Sequence, residues 1–379
     1  MNWEVTVGYN SSEVMALMND TTVATEGRSP EDFVFSRAAM IALTVVISVV
    51  SAVGILGNAM VIFIVFRYRD MHTVINYSFA NLALTDLTLL LLDGVPTAAD
   101  TMETNLSAKL GCNVPIYLQY VSAEVSSLTL AFLSYDRYRL IVHPIKTLQR
   151  RSTRALMKMF LCVWLVSFIT QIPTALPAGL TPEGACSEYI ATWGQEYFFS
   201  YTLVSLFVIP SGIIVICYVK IGRKMLEAGP PSSMKAHRRR RSVNIILGVI
   251  VLYALCWIPV HVVHMWGAFD PEVTARSPLY VVLHTAANVL MFVNSSVNPF
   301  VYALTGPSFR SHIRSIVVSM AKCRAKDAFA DQRHESNQNL YEAKKAALSP
   351  GVSDPKTPED LPSGRSDDAC EGVYESTWL

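Results

Sequence analysis

The chain has 379 residues, 51% of them hydrophobic and only 16% charged, against about 25% charged residues in ordinary soluble domains. Expulsion of charge on this scale excludes a water-soluble globular fold. The net charge of +1 gives no bulk signal for a nucleic-acid partner, and none is expected; the seven Cys show neither CxxC spacing nor a dense disulfide pattern, which excludes a zinc ribbon or disulfide scaffold.

Taken in chain order, residues 1–36 are polar and lack the basic start and apolar stretch of a signal peptide, so the first apolar helix is expected to direct its own insertion. Asn10, Asn19 and Asn105 begin Asn-x-Ser/Thr tripeptides and are candidate glycosylation acceptors. Seven segments are long and apolar enough to span a bilayer: roughly 38–66, 74–99, 112–136, 155–177, 198–221, 243–268 and 279–303. The second and third are expected to be the weakest in hydropathy, because Asp86, Asp93 and Glu124 interrupt them. The fold class is therefore an all-α membrane protein, a seven-transmembrane helix bundle over 37–305. Arg and Lys concentrate after the first, third and fifth spans, including the run Arg238 to Arg241, whereas the alternate loops hold only Lys109 and Arg276. Basic loops stay inside, so the N-terminus is expected outside and the C-terminus in the cytoplasm.

Beyond the seventh span, Phe309, Ile313, Ile316 or Val317, and Met320 recur at helical spacing among basic residues. This predicts an amphipathic helix over 306–323 lying on membrane lipid, followed by Cys323, either palmitoylated or left as a plain thiol. Residues 324–379 are charged and Pro/Ser-rich, the composition of a disordered cytoplasmic tail. Its Ser and Thr residues are expected phosphorylation sites for receptor kinases and hence for arrestin. Thr377, Trp378 and Leu379 form a loose PDZ-ligand pattern, a hydroxyl two residues before an apolar end.

Ionisable residues at membrane depth are functional candidates. Asp86, with Ser126, Asn294, Ser295 and Asn298 and with Asn58 nearby in the sequence pattern, is one carboxylate among neutral oxygens. That chemistry suits either a small hard cation such as Na⁺ or a hydrogen-bond network that only ties helices together. Pro210, Pro259 and Pro299 each remove a backbone bond and predict kinks in spans 5, 6 and 7. Kinked helices around a polar centre suit a bundle with two packings, or a single static one.

Several short motifs fall in order on these spans. They are Gly57-Asn58, Asp136-Arg137-Tyr138, Trp164, Pro210 with Tyr218, Cys256-Trp257-Ile258-Pro259, and Asn298-Pro299-Phe300-Val301-Tyr302. Over roughly 37–323 the chain resembles the rhodopsin-like G-protein-coupled receptors. The resemblance implies that Arg137 is paired with Asp136 at rest and freed on activation, with Tyr218 and Tyr302 turning in to support it. It implies that Trp257 relays the ligand's push to span 6 through Tyr253 and Pro259, and that Cys112 bonds to Cys186. It assigns the Asp86 group as a Na⁺ site, the ion being an allosteric one, and places the receptor in the plasma membrane with no enzymatic role. The chain departs from the pattern at Tyr253, usually Phe; at Ser127, usually aliphatic; at Arg239, an acid in some members; and at Asn105, often Trp. The first three are expected to loosen the resting state and raise basal activity.

Phe292 stands where retinal proteins of this fold carry Lys, and Gln119 where amine receptors carry Asp. The remaining pattern resembles peptide receptors of the kisspeptin, galanin and allatostatin-A group, carried by Gln119-Tyr-Val-Ser122, residues 144–154 and Cys186-Ser-Glu188. The expected pocket residues are Gln119, Tyr120, His261, His264, Tyr280, His284 and Asn288. Acids in the N-terminal segment and Glu183, Glu188 and Glu196 form an expected acidic vestibule that steers a cationic peptide. A receptor for a lipid or small neutral ligand is the near alternative. A transporter or channel is the distant one, disfavoured because no repeated halves are visible.

Overall fold

The computed structural model describes residues 37–322 apart from 103, 105, 146, 148–151, 181–185, 190–193, 229–232, 271, 274–276, 306–307 and 320; beyond it, only 332, 336 and 339 are described. Asn10, Asn19, Asn105, Cys323, Thr377, Trp378 and Leu379 lie outside these residues, as do the acids of the N-terminal segment, Glu183 and the Arg239 side chain. Residues 307–379 form a second unit. In it, residues 308–319 are helical.

Seven helices among the described residues are long and apolar enough to cross a membrane. We label them α1 (Arg37–Arg67), α2 (Val74–Asp100), α3 (Asn113–Val142), α4 (Thr153–Thr170), α5 (Gln195–Glu227), α6 (Met234–Phe269) and α7 (Pro278–Thr305). The chain is thus a multi-pass membrane protein. Buried residues make up 72% of the apolar stretch of α3 but 17% of those of α1 and α4. The third helix is therefore the axis of the bundle, and α1 and α4 offer most of their side chains to lipid. Its mean hydropathy of 1.2 is the lowest of the seven, because its inward face carries polar residues. The second-lowest value is 1.3 for α7, with α2 at 1.4; the Asn and Ser residues of α7 lower its apolarity as effectively as two carboxylates do in α2.

The fourth span stops at Thr170, earlier than 177. Gln171 leaves helical geometry at φ −86°, ψ 3°, and Pro173, second in the short helix Ile172–Ala175, cannot donate into a continuous ladder. Two helices contain π segments, Leu90–Gly94 in α2 and Leu203–Val208 in α5. Each lies just before a proline, Pro96 and Pro210, where the missing N–H already breaks the regular ladder. The irregularity in α2 is a fourth proline distortion beyond the three expected.

Proline also frees the carbonyl four residues earlier, and a freed carbonyl at membrane depth needs another donor. Pro299 frees the carbonyl of Ser295, and Asn58 of α1 donates its Nδ2 to that oxygen at 2.8 Å. Pro210 frees the carbonyl of Leu206, and Tyr253 of α6 donates its hydroxyl there at 2.8 Å. Side chains on neighbouring helices thus complete the kinked backbones. Gly57 lets α1 approach this region: a Cβ there would meet the Pro299 ring at 3.1 Å.

Outside the bundle, Gly179–Leu180 and Cys186–Ser187 form a two-stranded antiparallel hairpin, with Leu180 opposite Cys186. A disulfide joins Cys186 to Cys112, with Cα atoms 5.5 Å apart. This bond fixes the second strand beside the start of α3.

Candidate functional site

Three groups of functional residues lie along the bundle. At one end of α3, Arg137 and Asp136 form an ion pair, both side chains buried. Burial makes this pair sensitive to any change in exposure. The two tyrosines expected to support Arg137 are held elsewhere. Tyr218 donates to the Val243 carbonyl of α6 at 3.3 Å. Tyr302 is buried and stacks on Phe79 of α2, ring centroids 4.0 Å apart and 15° between planes. Tyr138 packs edge-on to His143 at 6.0 Å, outside this pair.

In the middle of the bundle, Asp86 accepts a hydrogen bond from Asn298 Nδ2 at 2.9 Å. Ser295, near the carboxylate, is buried on the same helix as Asn298. Ser126 and Asn294 are buried on α3 and α7. The Oδ1 atoms of Asn58 and Asn298 are buried and lack a hydrogen-bond partner among the described residues. One carboxylate beside orphaned neutral oxygens is a donor set suited to a small hard cation. Asn81 extends the polar connection, donating to Thr129 of α3 at 2.9 Å and accepting from the Trp164 indole of α4 at 3.0 Å.

Above this centre lies an aromatic column. Tyr253, Trp257 and His261 follow one face of α6 at successive turns, with neighbouring ring centroids 5.8 Å apart. Phe207 of α5 packs on both ends, 6.0 Å from Tyr253 and 5.4 Å from His261. The two departures on α6 and α3 meet here. The Tyr253 hydroxyl donates to the Leu206 carbonyl of α5 and lies near Ser127 of α3, whose own hydroxyl donates to the Glu124 carbonyl at 2.9 Å. Tyr253 thus adds a polar tie between α5 and α6 that a Phe would lack, while Ser127 bonds within its own helix.

The outer half holds the expected pocket residues, brought together with some changes of role. His264 packs on Phe199 at 4.9 Å and on His284 at 5.5 Å. Tyr280 stacks on His284 at 5.7 Å, and Asn288 Nδ2 lies 3.4 Å from His284 Nδ1. His261 sits a turn deeper, 5% exposed, as part of the column beneath. Gln119 is turned toward α2, donating Nε2 to Asp93 at 2.9 Å. Tyr120 donates to Glu188 at 2.5 Å.

Glu188 is thus a residue of the bundle's outer half rather than of an exposed vestibule. The reason is the disulfide, which holds Cys186 at α3 and so carries Glu188, two residues later, over the helix ends. Burial pushes the Glu188 carboxyl above its ordinary range, while the Tyr120 hydrogen bond and nearby His284 pull it back. Asp93, in the sequence only an interruption of the second span, is a pocket residue that accepts a hydrogen bond from Gln119 of α3. Glu124, which in the sequence only interrupts a span, is a junction: Gln171 Nε2 and the Thr170 hydroxyl bond to it at 2.9 and 2.6 Å.

Comparison with known proteins agrees with this arrangement. Residues 57–302 match the family described as 7 transmembrane receptor (rhodopsin family). The chain is 31% identical over 300 residues to the [Phe13]-bombesin receptor of Bombina orientalis, covering 73% of this chain and 76% of the relative. It is 30% identical over 302 residues to bombesin receptor subtype-3 of Ovis aries, covering 73% and 75%. It is 27% identical over 301 residues to G-protein coupled receptor 54 of Oreochromis niloticus, covering 74% and 79%. With seven spanning helices, the Cys112–Cys186 bond and the Asp136–Arg137 pair in place, the chain belongs to the rhodopsin family of seven-transmembrane receptors, which are receptors and not enzymes.

Proposed function

We propose that this receptor binds an extracellular peptide and activates a heterotrimeric G protein by outward movement of α6. The observation that carries the reading is the buried Asp136–Arg137 pair, with Tyr218 hydrogen-bonded to α6 and Tyr302 stacked on Phe79 of α2. Activation would break the Tyr218 bond to α6 and free both tyrosines to turn toward Arg137. Trp257 is placed to couple the two ends, since it lies between the outer-half histidines and the Tyr253 tie. A peptide ligand is supported by the two bombesin receptors among its relatives and by a pocket of aromatic surface with several hydrogen-bonding groups. Within that class, the short runs around Gln119 and Cys186 favour a ligand of the kisspeptin, galanin or allatostatin-A kind.

The orphaned oxygens around Asp86 support a Na⁺ ion held by Asp86, Ser126, Asn294, Ser295 and Asn298, which would tie α2, α3 and α7 together at rest. The basic loops support a cytoplasmic G-protein face and an outer N-terminus, in the plasma membrane. Palmitoylation at Cys323, glycosylation at Asn10, Asn19 and Asn105, arrestin recruitment and a PDZ partner at Leu379 complete the proposal.

The test is a signalling assay with a panel of G proteins in cells expressing the chain. Amidated peptides of the kisspeptin, galanin, allatostatin-A and bombesin types are applied, with Arg137→Ala run beside the unaltered receptor. A saturable response that Arg137→Ala abolishes at equal surface expression is the expected result. Silence to every peptide type from a well-expressed receptor would refute the peptide reading.

A further inference from the structure

Two carboxylates meet in the outer half of the bundle from separate elements. Asp93 comes from the π segment of α2, and Glu188 from the loop that the disulfide anchors. Adjacent residues of α3, Gln119 and Tyr120, each donate to one of them. Among the described residues their bonding partners are neutral: Thr97 and Gln119 at 3.1 and 2.9 Å from Asp93, and Tyr120 at 2.5 Å from Glu188. No described Lys or Arg pairs with either. His284 faces Glu188 and His264 packs on His284, so imidazole is the nearest basic group.

Two partly buried like charges without a cation are unfavourable. Their persistence in a built site points to a partner that arrives from outside. A second observation points the same way. Beneath the carboxylates, His261 Nε2 and Trp257 Nε1 are buried, at 5% and 7% residue exposure, and have no hydrogen-bond partner among the described residues. On α3, the Ser122 hydroxyl is also buried without a partner. It lies three residues beyond Gln119, on the same helix face. The site therefore presents acceptors for a cation at its upper level and unsatisfied polar atoms below. An indole N–H requires an acceptor, which a peptide carbonyl supplies.

We propose that Asp93 and Glu188 form a subsite for a positively charged side chain of the ligand, a guanidinium or ammonium group, bound between α2 and the disulfide-anchored loop. Gln119 and Tyr120 orient the two carboxylates toward it, and the polar atoms below receive the backbone of the same ligand residue. The inference deepens the peptide reading and rests on it for the ligand's identity, but the recognition chemistry can be tested without a peptide.

The test uses the purified full-length receptor and the probe Nα-acetyl-L-arginine amide (arginine amide), with Nα-acetyl-L-citrulline amide (citrulline amide), which carries no charge, as control. Thermal unfolding is followed for the unaltered chain, for Asp93→Asn with Glu188→Gln, and for Glu124→Gln, which removes a buried carboxylate elsewhere. Arginine amide is expected to raise the unfolding temperature saturably in the unaltered receptor and in Glu124→Gln. It should have no effect in the double variant, whose own cooperative unfolding shows that it is folded. Citrulline amide should have none in any of them. An equal shift from citrulline amide, a shift retained in the double variant, or no shift at any soluble concentration overturns the proposal. In the signalling panel, replacing Arg or Lys by citrulline in an active peptide is expected to lower potency about tenfold to a hundredfold. Equal potency would also overturn it. Silence of all peptides beside an intact arginine-amide shift would refute the peptide reading while supporting the subsite.

Discussion

Replacing Tyr253 by Phe removes one oxygen and leaves the ring in place. In the structure that oxygen donates to the Leu206 carbonyl at 2.8 Å. Leu206 is buried and its carbonyl has lost its helical donor to Pro210, so no backbone group can take over. A buried acceptor left unsatisfied costs about 1–3 kcal/mol, and interhelical hydrogen bonds in membranes average about 0.6 kcal/mol. We take about 1 kcal/mol as the loss. Outward movement of α6 would break this bond in the active state, so the loss falls on the resting state alone. The ratio of active to resting receptor should then rise about fivefold. The assay is ligand-free signalling normalised to surface expression. Ser127→Ala should change it little, because the Ser127 hydroxyl bonds within its own helix. Unchanged or lower basal signalling from a normally expressed Tyr253→Phe receptor would refute the reasoning.

Asn58→Ala should lower the thermal stability of the purified receptor by about 1–3 kcal/mol, because it strips the donor from the Ser295 carbonyl freed by Pro299; unfolding in detergent checks this. Asp86→Asn should abolish the effect of NaCl, measured against choline chloride, on agonist affinity, since the charge that would hold the ion is gone. Lastly, agonist affinity should depend on pH through Glu188. Burial raises its carboxyl, and a cationic ligand needs the carboxylate form. Affinity should therefore rise with pH through the raised value and fall below it. Asp93, Tyr120 and His284 also face this group, so the informative quantity is the difference between the unaltered receptor and Glu188→Gln, in which that part of the profile should vanish.

How much could be read in advance depended on the range of the forces involved. Apolar length alone specifies the seven spans, because a bilayer demands internal satisfaction of every backbone bond over about 20 residues. Short motifs specify Asp136–Arg137, the Asp86 group and the histidines of α6 and α7, because each falls at a fixed helical position. By contrast, the π segment of α2 could not be seen in its sequence. Pro96 marks a break without saying whether the chain widens or bends, and Asp93 read only as a charge interrupting a span until Gln119 was seen to donate to it. Similarly, Glu188 read as one acid among several until the disulfide laid its loop over α3.

The same distinction separates the substitutions on α3 and α6. Taken singly, Tyr253 and Ser127 were each an unexplained polar residue at a position where apolar ones are usual, and loosening was the natural expectation. Only the packed bundle shows that the Tyr253 hydroxyl meets a carbonyl which a proline on α5 had left without a donor, and that Ser127 bonds within its own helix. The sequence by itself determined the membrane class, the number of spans and the identity of the signalling motifs, since these follow from local composition and helical period. The tertiary structure decided which polar groups satisfy one another, because a buried hydrogen bond depends on the approach of distant helices to within about 3 Å.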